Sequence, residues 1–512
     1  MSASVEDIST SYITKSNVQL TDAGDGKTWR EKSKGILKFV RNVSREISVE
    51  PCLFVYMMCT NISSLAVQNM HLEKACRVNL EFGNDICDRI TARNTTGLED
   101  QLNQVSELVA KVQWKFPLQT AIPAVMALFV GAWSDINKKR KICIVVPFIG
   151  EIFTNIGLLL ATYYFYEISL INTVLIEALP PAFTGSYIII FMGMSSFITD
   201  RTSVENRTFR LGIVSICASL GNPVGTALSG VLLRVLGYYG VFALLLVLHT
   251  MSFLYSVVRL EDVLPVDEEV AGNSEQKWRK IFKLVGDTVM VALRPRAFRG
   301  RLQIILVIFL YFLMVGPLYG DSHVGFLYMV QKFQFTEVEY SFYNTAIVLL
   351  SLIGTVFCIT VLSKKMHVQD SIIGILAGVS RIGACFVFAF APTKPWFYLA
   401  PVVNVFGYTG LTAVRAIATK SVPKAEVAKL SALIGVSEAL APSVYIPTAA
   451  LIYAATMRTF PGAFYMMDMT LTVLAVCIFT FVYVLVRRRN KNMVNNITRK
   501  EEYARTNEAV RY

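Results

Sequence analysis

The sequence predicts an all-α polytopic membrane protein, with twelve transmembrane helices in two six-helix halves. Of its 512 residues, 54% are hydrophobic and only 17% are charged, and the mean hydropathy is +0.49. A soluble protein usually carries about a quarter charged residues. This composition excludes a soluble multi-domain enzyme, a disordered scaffold and a disulfide-stapled secreted module.

Twelve apolar runs are long enough to cross a bilayer, which takes about 20 residues of helix. In chain order they lie at 49–70, 114–135, 142–165, 172–198, 211–233, 238–258, 303–325, 343–363, 371–391, 396–418, 432–456 and 464–486. The residues before the first run are polar and basic, so we expect no cleavable signal peptide. An even number of spans places both termini on one side of the membrane.

Polar segments divide the chain into five parts, and a long polar linker between two six-helix halves predicts an internal duplication. The parts are an N-terminal tail (1–47), a first half (48–258) with a long polar loop (71–113), a linker (259–302), a second half (303–486) and a C-terminal tail (487–512).

The distribution of basic residues predicts the orientation. Of the 49 Lys and Arg, 37 fall in the tails, the linker and the loops on the same side as the termini, and 9 fall on the opposite side. Cytoplasmic loops carry such an excess, so both termini should be cytoplasmic. The net charge of +12 is therefore an orientation signal with some attraction to anionic lipid, and nucleic acid is not an expected partner.

Span 10 carries a polar stripe inside an apolar run. Asn404, Tyr408, Thr412 and Arg415 recur at helical spacing and should share one face. In span 1, Asn61 and Gln68 form a similar polar face. Polar groups inside a membrane are costly and mark substrate pathways, so these residues are candidates for substrate binding. The alternative is that they hydrogen-bond neighbouring helices together.

Span 7 combines a helix break with titratable groups. Gly316 and Pro317 precede Asp321 and His323, and span 11 contributes Glu438. A discontinuous helix beside an acid and a histidine suits proton binding during a conformational change. The alternative places Asp321 and His323 in the outer headgroup zone.

Span 5 contains Gly221 and Gly225 on either side of Pro223. Proline removes one helical hydrogen bond, and glycine lets a neighbouring backbone approach. A bend and a close helix contact are expected here.

The long loop at 71–113 carries two further signals. Asn94 begins an Asn-Thr-Thr sequon and is the expected glycosylation site. Cys76 and Cys87 are the only cysteines expected in the oxidising compartment, so they should form a disulfide, with two free thiols as the alternative. The nine cysteines include no C-x-x-C pair, and no metal site is predicted.

The loop between spans 2 and 3 holds Gly131, Asp135, Lys139 and Arg140. It resembles the G-x-x-x-D-x-x-G-[RK]-[RK] signature of the major facilitator superfamily, with Lys138 at the second glycine. The resemblance implies the major facilitator fold and a latch of these four residues on the cytoplasmic side. It also implies that spans 1, 4, 7 and 10 surround the cavity, while spans 3, 6, 9 and 12 lie outside it. Charges such as Glu151 and Arg381 should then lie away from the cavity.

Further motifs are similar to the proton-coupled folate transporter family, solute carrier family 46. They include Val49-Glu50-Pro51, Leu72–Arg77, Arg207–Arg210 and Val414-Arg415-Ala416. The resemblance implies proton-coupled transport of organic anions and matches Arg415 and Asp135 to functional positions of the family. Three acidic or basic positions of the folate carrier correspond to Ser215, Ala178 and Ser186, so folate is not the expected substrate. The neighbouring Tyr187 is a candidate cavity residue.

The function predicted from the sequence is proton-coupled symport of a small organic anion by alternating access. The alternative is a transport-incompetent receptor or scaffold of the same fold. No catalytic motif, P-loop or cofactor site is present in the sequence, so an enzyme is not expected. The expected partners are the anion, protons and the lipid bilayer. The plasma membrane is favoured over the lysosomal membrane, and the sequence does not determine the oligomeric state.

Overall fold

The computed structural model describes residues 49–202, 204–262, 300–422 and 426–509, with a few isolated positions between 279 and 290. The chain divides into two units, residues 1–48 and 49–512. The predicted N-terminal tail and most of the predicted linker lie outside the described residues. The fold below is that of the second unit, whose described residues form helices and no strand.

The described residues of the first half form eight α-helices, of which the second and third are short. They are α1 (Glu50–Lys74), α2 (Asn84–Thr91), α3 (Glu99–Lys111), α4 (Lys115–Asn137), α5 (Lys141–Tyr163), α6 (Leu170–Thr184), α7 (Ser186–Arg201) and α8 (Val204–Arg259). A π-helical turn at Ala75–Asn79 extends α1, so the predicted polar loop contains the end of α1, all of α2 and all of α3.

The second half repeats the pattern of long helices. They are α9 (Gly300–Phe333), α10 (Glu337–Phe357), α11 (Asp370–Phe390), α12 (Lys394–Val403), α13 (Thr409–Ser421), α14 (Val427–Thr456) and α15 (Ala463–Ala509). The predicted C-terminal tail continues α15 as helix as far as Ala509.

Within the described ranges, ten helices are long and apolar enough to cross a membrane. Two features explain why this number is ten rather than the twelve predicted spans. Spans 5 and 6 lie in one segment, Arg210–Arg259, in which two helices meet at a kink at the non-helical Gly237. Span 10 is divided into α12 and α13, each shorter than a membrane-crossing helix.

The break in span 10 overturns the assumption that its polar stripe lies on one continuous helix. Residues 404–408 are turns, and the Gly407 amide donates to the Asn404 carbonyl at 2.9 Å. The backbone of the break packs closely against α10, since a Cβ added to Gly354 would lie 1.9 Å from the Val405 carbonyl oxygen. Sequence spacing could not predict this break, because it depends on a contact with another helix.

The two halves meet in a core at the end of the molecule that carries the Cys76–Cys87 disulfide. We call this the disulfide end, and the end that carries Arg140 the Arg140 end. The core at the disulfide end combines α1, α3, α9, α11 and α14, with Val105, Phe326 and Tyr453 fully buried in it. Three other cores lie within one half each.

The outer faces of the spanning helices are apolar. Phe153, Val258, Phe342 and Leu451 are each more than half exposed in the protein alone. A water-soluble protein rarely exposes such contiguous apolar surface, whereas lipid tails cover it at no cost. The exposed face therefore agrees with the predicted membrane protein.

Candidate functional site

A cavity of about 480 Å³, lined by both polar and apolar side chains, lies between the two halves. Its volume is in the range of sites that hold small molecules. Seven of the residues predicted as binding or proton-coupling residues line it, namely Asn61, Gln68, Tyr187, Asp321, His323, Asn404 and Tyr408.

Several residues that line the cavity have a side-chain oxygen without a hydrogen-bond partner among the described residues. Two of these oxygens are Oε1 of Gln68 and Oδ1 of Asn404. Gln68 is held by a bond from its Nε2 to Ser64 Oγ at 2.9 Å. The two free oxygens can accept hydrogen bonds from a bound molecule or water.

Arg415 and Glu438 form a separate pair that is not among the lining residues of the cavity. Arg415 donates to Glu438 Oε2 at 2.7 Å and to Tyr311 Oη at 2.6 Å, and Tyr311 donates to the same carboxylate at 2.9 Å. The two charged side chains are 56% and 33% exposed, so solvent reaches both. Thr412, one turn before Arg415, is likewise not among the lining residues.

The cation in the wall of the cavity is instead Arg381 of α11. Its guanidinium pairs with Asp321 of α9 and lies 3.7 Å from Asp468 Oδ2 of α15. Arg381 is 4% exposed and Asp468 is fully buried. A charge in the membrane needs such a partner, because insertion of an unpaired arginine costs roughly 3 kcal/mol.

A second cation, Lys115 of α4, lies on another wall of the cavity. Its Nζ donates to both oxygens of Glu177 at 2.7 and 2.6 Å. His71 Nε2 is 3.4 Å from the same carboxylate. His323 packs its ring on Phe116 with 4.3 Å between the centroids, so it belongs to this wall rather than to the Arg381 wall.

Glu151 of α5 also lines the cavity and accepts a hydrogen bond from Tyr56 Oη at 2.8 Å. The expectation that spans 3 and 9 lie away from the cavity is therefore wrong for Glu151 and Arg381. Each side chain is held there by a partner on another helix, Tyr56 of α1 for Glu151 and Asp321 of α9 for Arg381.

Sequence reasoning missed Lys115, Glu177 and Asp468. Asp468 carried a readable signal, since it is an acid within the apolar run 464–486. Lys115 and Glu177 lie close to the ends of their spans, where charged residues are ordinary. Their mutual contact follows only from the packing of α4 against α6.

Close packing of α1 and α8 positions Asn61. A Cβ added to Gly225 would lie 2.4 Å from the Met58 carbonyl oxygen, so the backbones touch as the sequence suggested. Asn61 Nδ2 donates to Asn222 Oδ1 at 3.0 Å across this contact. Its side chain is therefore fixed at the cavity by a neighbouring helix as well as by its own.

Bonds between the two halves concentrate at the disulfide end. The hydroxyls of Thr120 and Ser443 are 2.5 Å apart, and the Gly230 amide donates to Ser341 Oγ at 2.8 Å. In addition, Arg93 joins Glu337 at 2.9 Å. These contacts join the two halves, and Thr120 also lines the cavity.

The four predicted latch residues lie at the Arg140 end. Arg140 donates to Asp135 at 2.5 Å and to Asp200 at 2.9 Å. Burial lowers the pKa of the Arg140 guanidinium, but these two carboxylates raise it above its ordinary value. Gly131 lets α4 approach α7, since an added Cβ would lie 2.9 Å from Met192 Sδ. The Lys139 carbonyl accepts from Ser134 Oγ at 3.1 Å.

The loop at the disulfide end carries the remaining predicted features. Cys76 and Cys87 are joined, with their Cα atoms 5.9 Å apart. Asn94 is exposed, as a glycosylation acceptor must be. Thr95 of the sequon is buried, and its hydroxyl accepts from Gln334 Nε2 at 2.8 Å.

Comparison with known proteins identifies a matching family and relatives that are named as transporters. The profile of the Major Facilitator Superfamily matches residues 52–445. The lysosomal proton-coupled steroid conjugate and bile acid symporter SLC46A3 of Gallus gallus is 22% identical over 431 residues, which cover 83% of this chain and 91% of that protein. The probable peptidoglycan muropeptide transporter SLC46 of Drosophila melanogaster is 23% identical over 425 residues, 81% of each chain.

Solved structures share the fold at low sequence identity. The human organic anion transporter MFSD10 (TETRAN) superposes with a TM-score of 0.56 at 13% identity, covering 84% of this chain and 98% of that one. The D-xylose-proton symporter superposes with a TM-score of 0.58 at 11% identity, covering 84% and 96%.

Proposed function

This chain belongs to the major facilitator superfamily, and from that premise we propose that it carries a small organic anion together with protons by alternating access. Its resemblance to solute carrier family 46 is confirmed by the relatives named above. The chain is a multi-pass membrane transporter, and those relatives are transporters rather than enzymes. The choice of anion and proton is the part that we propose.

One observation carries the proposal: the described lining of the cavity includes two cations, and each forms an ion pair with a carboxylate. Lys115 pairs with Glu177, and Arg381 pairs with Asp321. An anionic substrate would replace a carboxylate on its cation. The displaced carboxylate would then be left unpaired within the membrane, which is costly unless it takes up a proton. Binding of the anion would thus favour binding of a proton.

The remaining lining residues suit an anion with an apolar body. Tyr408 lies near Arg381, Tyr187 supplies a second ring, and Asn61, Gln68 and Asn404 supply polar amide groups to the lining. We propose these five as substrate contacts, with Asp321 and His323 as proton-binding groups. Rings and a few placed polar groups are the usual lining of a small-molecule site.

Arg415, Thr412 and Glu438 receive a different role in this proposal. They lie on α13 and α14 outside the cavity lining, with Arg415 half exposed. We propose that Arg415 meets the substrate on its route between the cavity and the Arg140 end. Glu438 would release or accept a proton there, and the Arg140 cluster would close that end as a latch.

The relatives support the substrate class and the coupling ion. One is named for proton-coupled symport of steroid conjugates and bile acids, which are bulky anions. The other is named for muropeptides.

We propose from the distribution of basic residues that both termini are cytoplasmic. We favour the plasma membrane as the location. The lysosomal membrane is the alternative, because one relative is named as lysosomal.

The test is uptake of labelled organic anions by cells that express the protein, at acidic and at neutral external pH. The panel contains a folate, a muropeptide, a cyclic dinucleotide and a steroid sulfate. Acid-stimulated uptake of one compound supports proton symport and identifies its class. A protein that is present at the surface, binds a compound and moves none at either pH would instead be a receptor or scaffold.

A further inference from the structure

The described charges include one group of three that is almost closed to solvent. Asp321 of α9, Arg381 of α11 and Asp468 of α15 meet where these helices cross. The side chains of Arg381 and Asp468 are 5% and 1% exposed, and Asp321 is 17% exposed. One guanidinium thus faces two carboxyl groups.

If both carboxyl groups of this group were ionised, several of their oxygens would lack a hydrogen-bond donor. Both carboxyl groups lie against the same Nη2 of Arg381, yet neither oxygen of Asp468 and only one oxygen of Asp321 has a hydrogen-bond partner among the described residues. An ionised carboxylate can only accept hydrogen bonds, so two of them cannot bond to each other. One proton on the pair would supply the missing donor.

We infer that Asp321 and Asp468 share a proton beside Arg381, and that this carboxyl pair is where the transported proton binds. The shared proton is independent of the proposed function, whereas its role in transport rests on that function. It adds Asp468 as a proton-binding residue, and it adds Arg381 as the cation that the substrate reaches.

The neighbouring groups from the surrounding helices do not supply a competing charge. The groups that face the pair are four phenols and a thiol, which are ordinarily neutral at physiological pH. They are Tyr343 of α10, Cys385 of α11, Tyr408 of the break in span 10, Tyr445 of α14 and Tyr465 of α15. Arg381 alone therefore balances the two acids within this described group.

The position of the pair explains how the proton and the substrate would be coupled. Asp321 and Arg381 line the cavity, and Asp468 lies behind them. With one shared proton, the three groups are neutral in sum. An anion that binds Arg381 adds one negative charge, and a second proton, delivered from cavity water to Asp321, restores neutrality. One proton should therefore enter with each substrate charge.

Infrared difference spectroscopy on the purified full-length protein tests the shared proton without any substrate. The wild type at neutral pH should show a carbonyl-stretch band from a protonated carboxylic acid. Asp468→Asn and Asp321→Asn should each remove it, because the one acid that remains can pair fully with Arg381. Asp468→Glu should retain a band. Asp100→Asn, an exposed residue of α3, is the matched control and should leave the spectrum unchanged.

Uptake of a radiolabelled steroid sulfate tests the coupling. Asp321→Asn should lower the ratio of uptake at acidic pH to uptake at neutral pH to about one, because it removes the carboxyl group that takes up the second proton. A band that survives both Asn variants overturns the shared proton. If the band is lost but acid stimulation persists, the carboxyl pair is not the coupling site. A wild type with the band and no acid-stimulated uptake would refute the proposed function alone.

Discussion

Lys138 follows α4 in a left-handed conformation, with φ of 55° and ψ of 24°. This is the position at which the superfamily signature has its second glycine. A side chain makes that conformation cost about 1 kcal/mol or more relative to glycine. The chain therefore retains the turn geometry of the signature without its usual residue.

We predict that Lys138→Gly raises the free energy of unfolding by about 1 kcal/mol, since glycine adopts positive φ at little cost. Lys138→Val should lower the free energy by at least as much, because β-branched residues strongly disfavour this region. Thermal unfolding of the purified protein in detergent measures both. Equal melting temperatures for the two variants would mean that the turn relaxes in solution.

Arg415 allows a direct test of the proposed substrate route. We predict that Arg415→Ala lowers uptake at least tenfold at unchanged surface abundance, which corresponds to the loss of about 1.4 kcal/mol. Removal of the cation leaves Glu438 unpaired and takes a positive charge from the route. Arg415→Lys is the matched variant and should retain part of the uptake. Wild-type uptake by Arg415→Ala would exclude the residue from the route.

At the residue scale, the sequence was informative where a polar side chain interrupts an apolar run. Asn61, Asp321 and Asn404 could be predicted at the cavity in this way. The partners of such residues could not be predicted, because they come from helices that are distant in sequence. The contact of Arg381 with both Asp321 and Asp468 is a property of packing rather than of spacing.

The helices themselves could be predicted from hydropathy, since a membrane-crossing helix must satisfy its own backbone and be apolar over its length. Breaks within them could not. Gly185, with φ of 95°, divides span 4 into α6 and α7. The turns at 404–408 divide span 10. Both breaks lie at the cavity, where irregular backbone is tolerated because it does not face lipid.

The contact between α1 and α8 gives an element-scale prediction. Gly225→Ala should destabilise the protein by about 1–3 kcal/mol, because the added methyl meets the Met58 backbone and one helix must shift. Gly212→Ala on the same helix is the control, since no atom lies within 4 Å of its added Cβ. That control should be neutral or stabilising by up to about 1 kcal/mol. Thermal unfolding of both variants checks the difference, and equal effects would contradict the contact.

For the whole molecule, the hydrogen bonds between the halves at the disulfide end bear on the proposed alternating access. The bonds of Thr120 with Ser443 and of Gly230 with Ser341 must break for the cavity to open there. Each neutral hydrogen bond contributes only about 1 kcal/mol net. In the proposed proton-coupled cycle, a proton that moves down a potential of about 100 mV gains about 2.3 kcal/mol, which is comparable to the contribution of these bonds.

Cross-linking of the two halves tests whether this end must open during transport. In a Thr120→Cys/Ser443→Cys variant the two thiols would replace hydroxyls that lie 2.5 Å apart, so an oxidant should join α4 to α14. We predict that oxidation reduces uptake to background and that a reductant restores it. The control is Ser256→Cys, which should pair with native Cys52, 3.6 Å away in the same half, and leave uptake unchanged. Full uptake by a protein with the first cross-link in place would mean that the halves do not separate at the disulfide end, and alternating access through this cavity would be wrong.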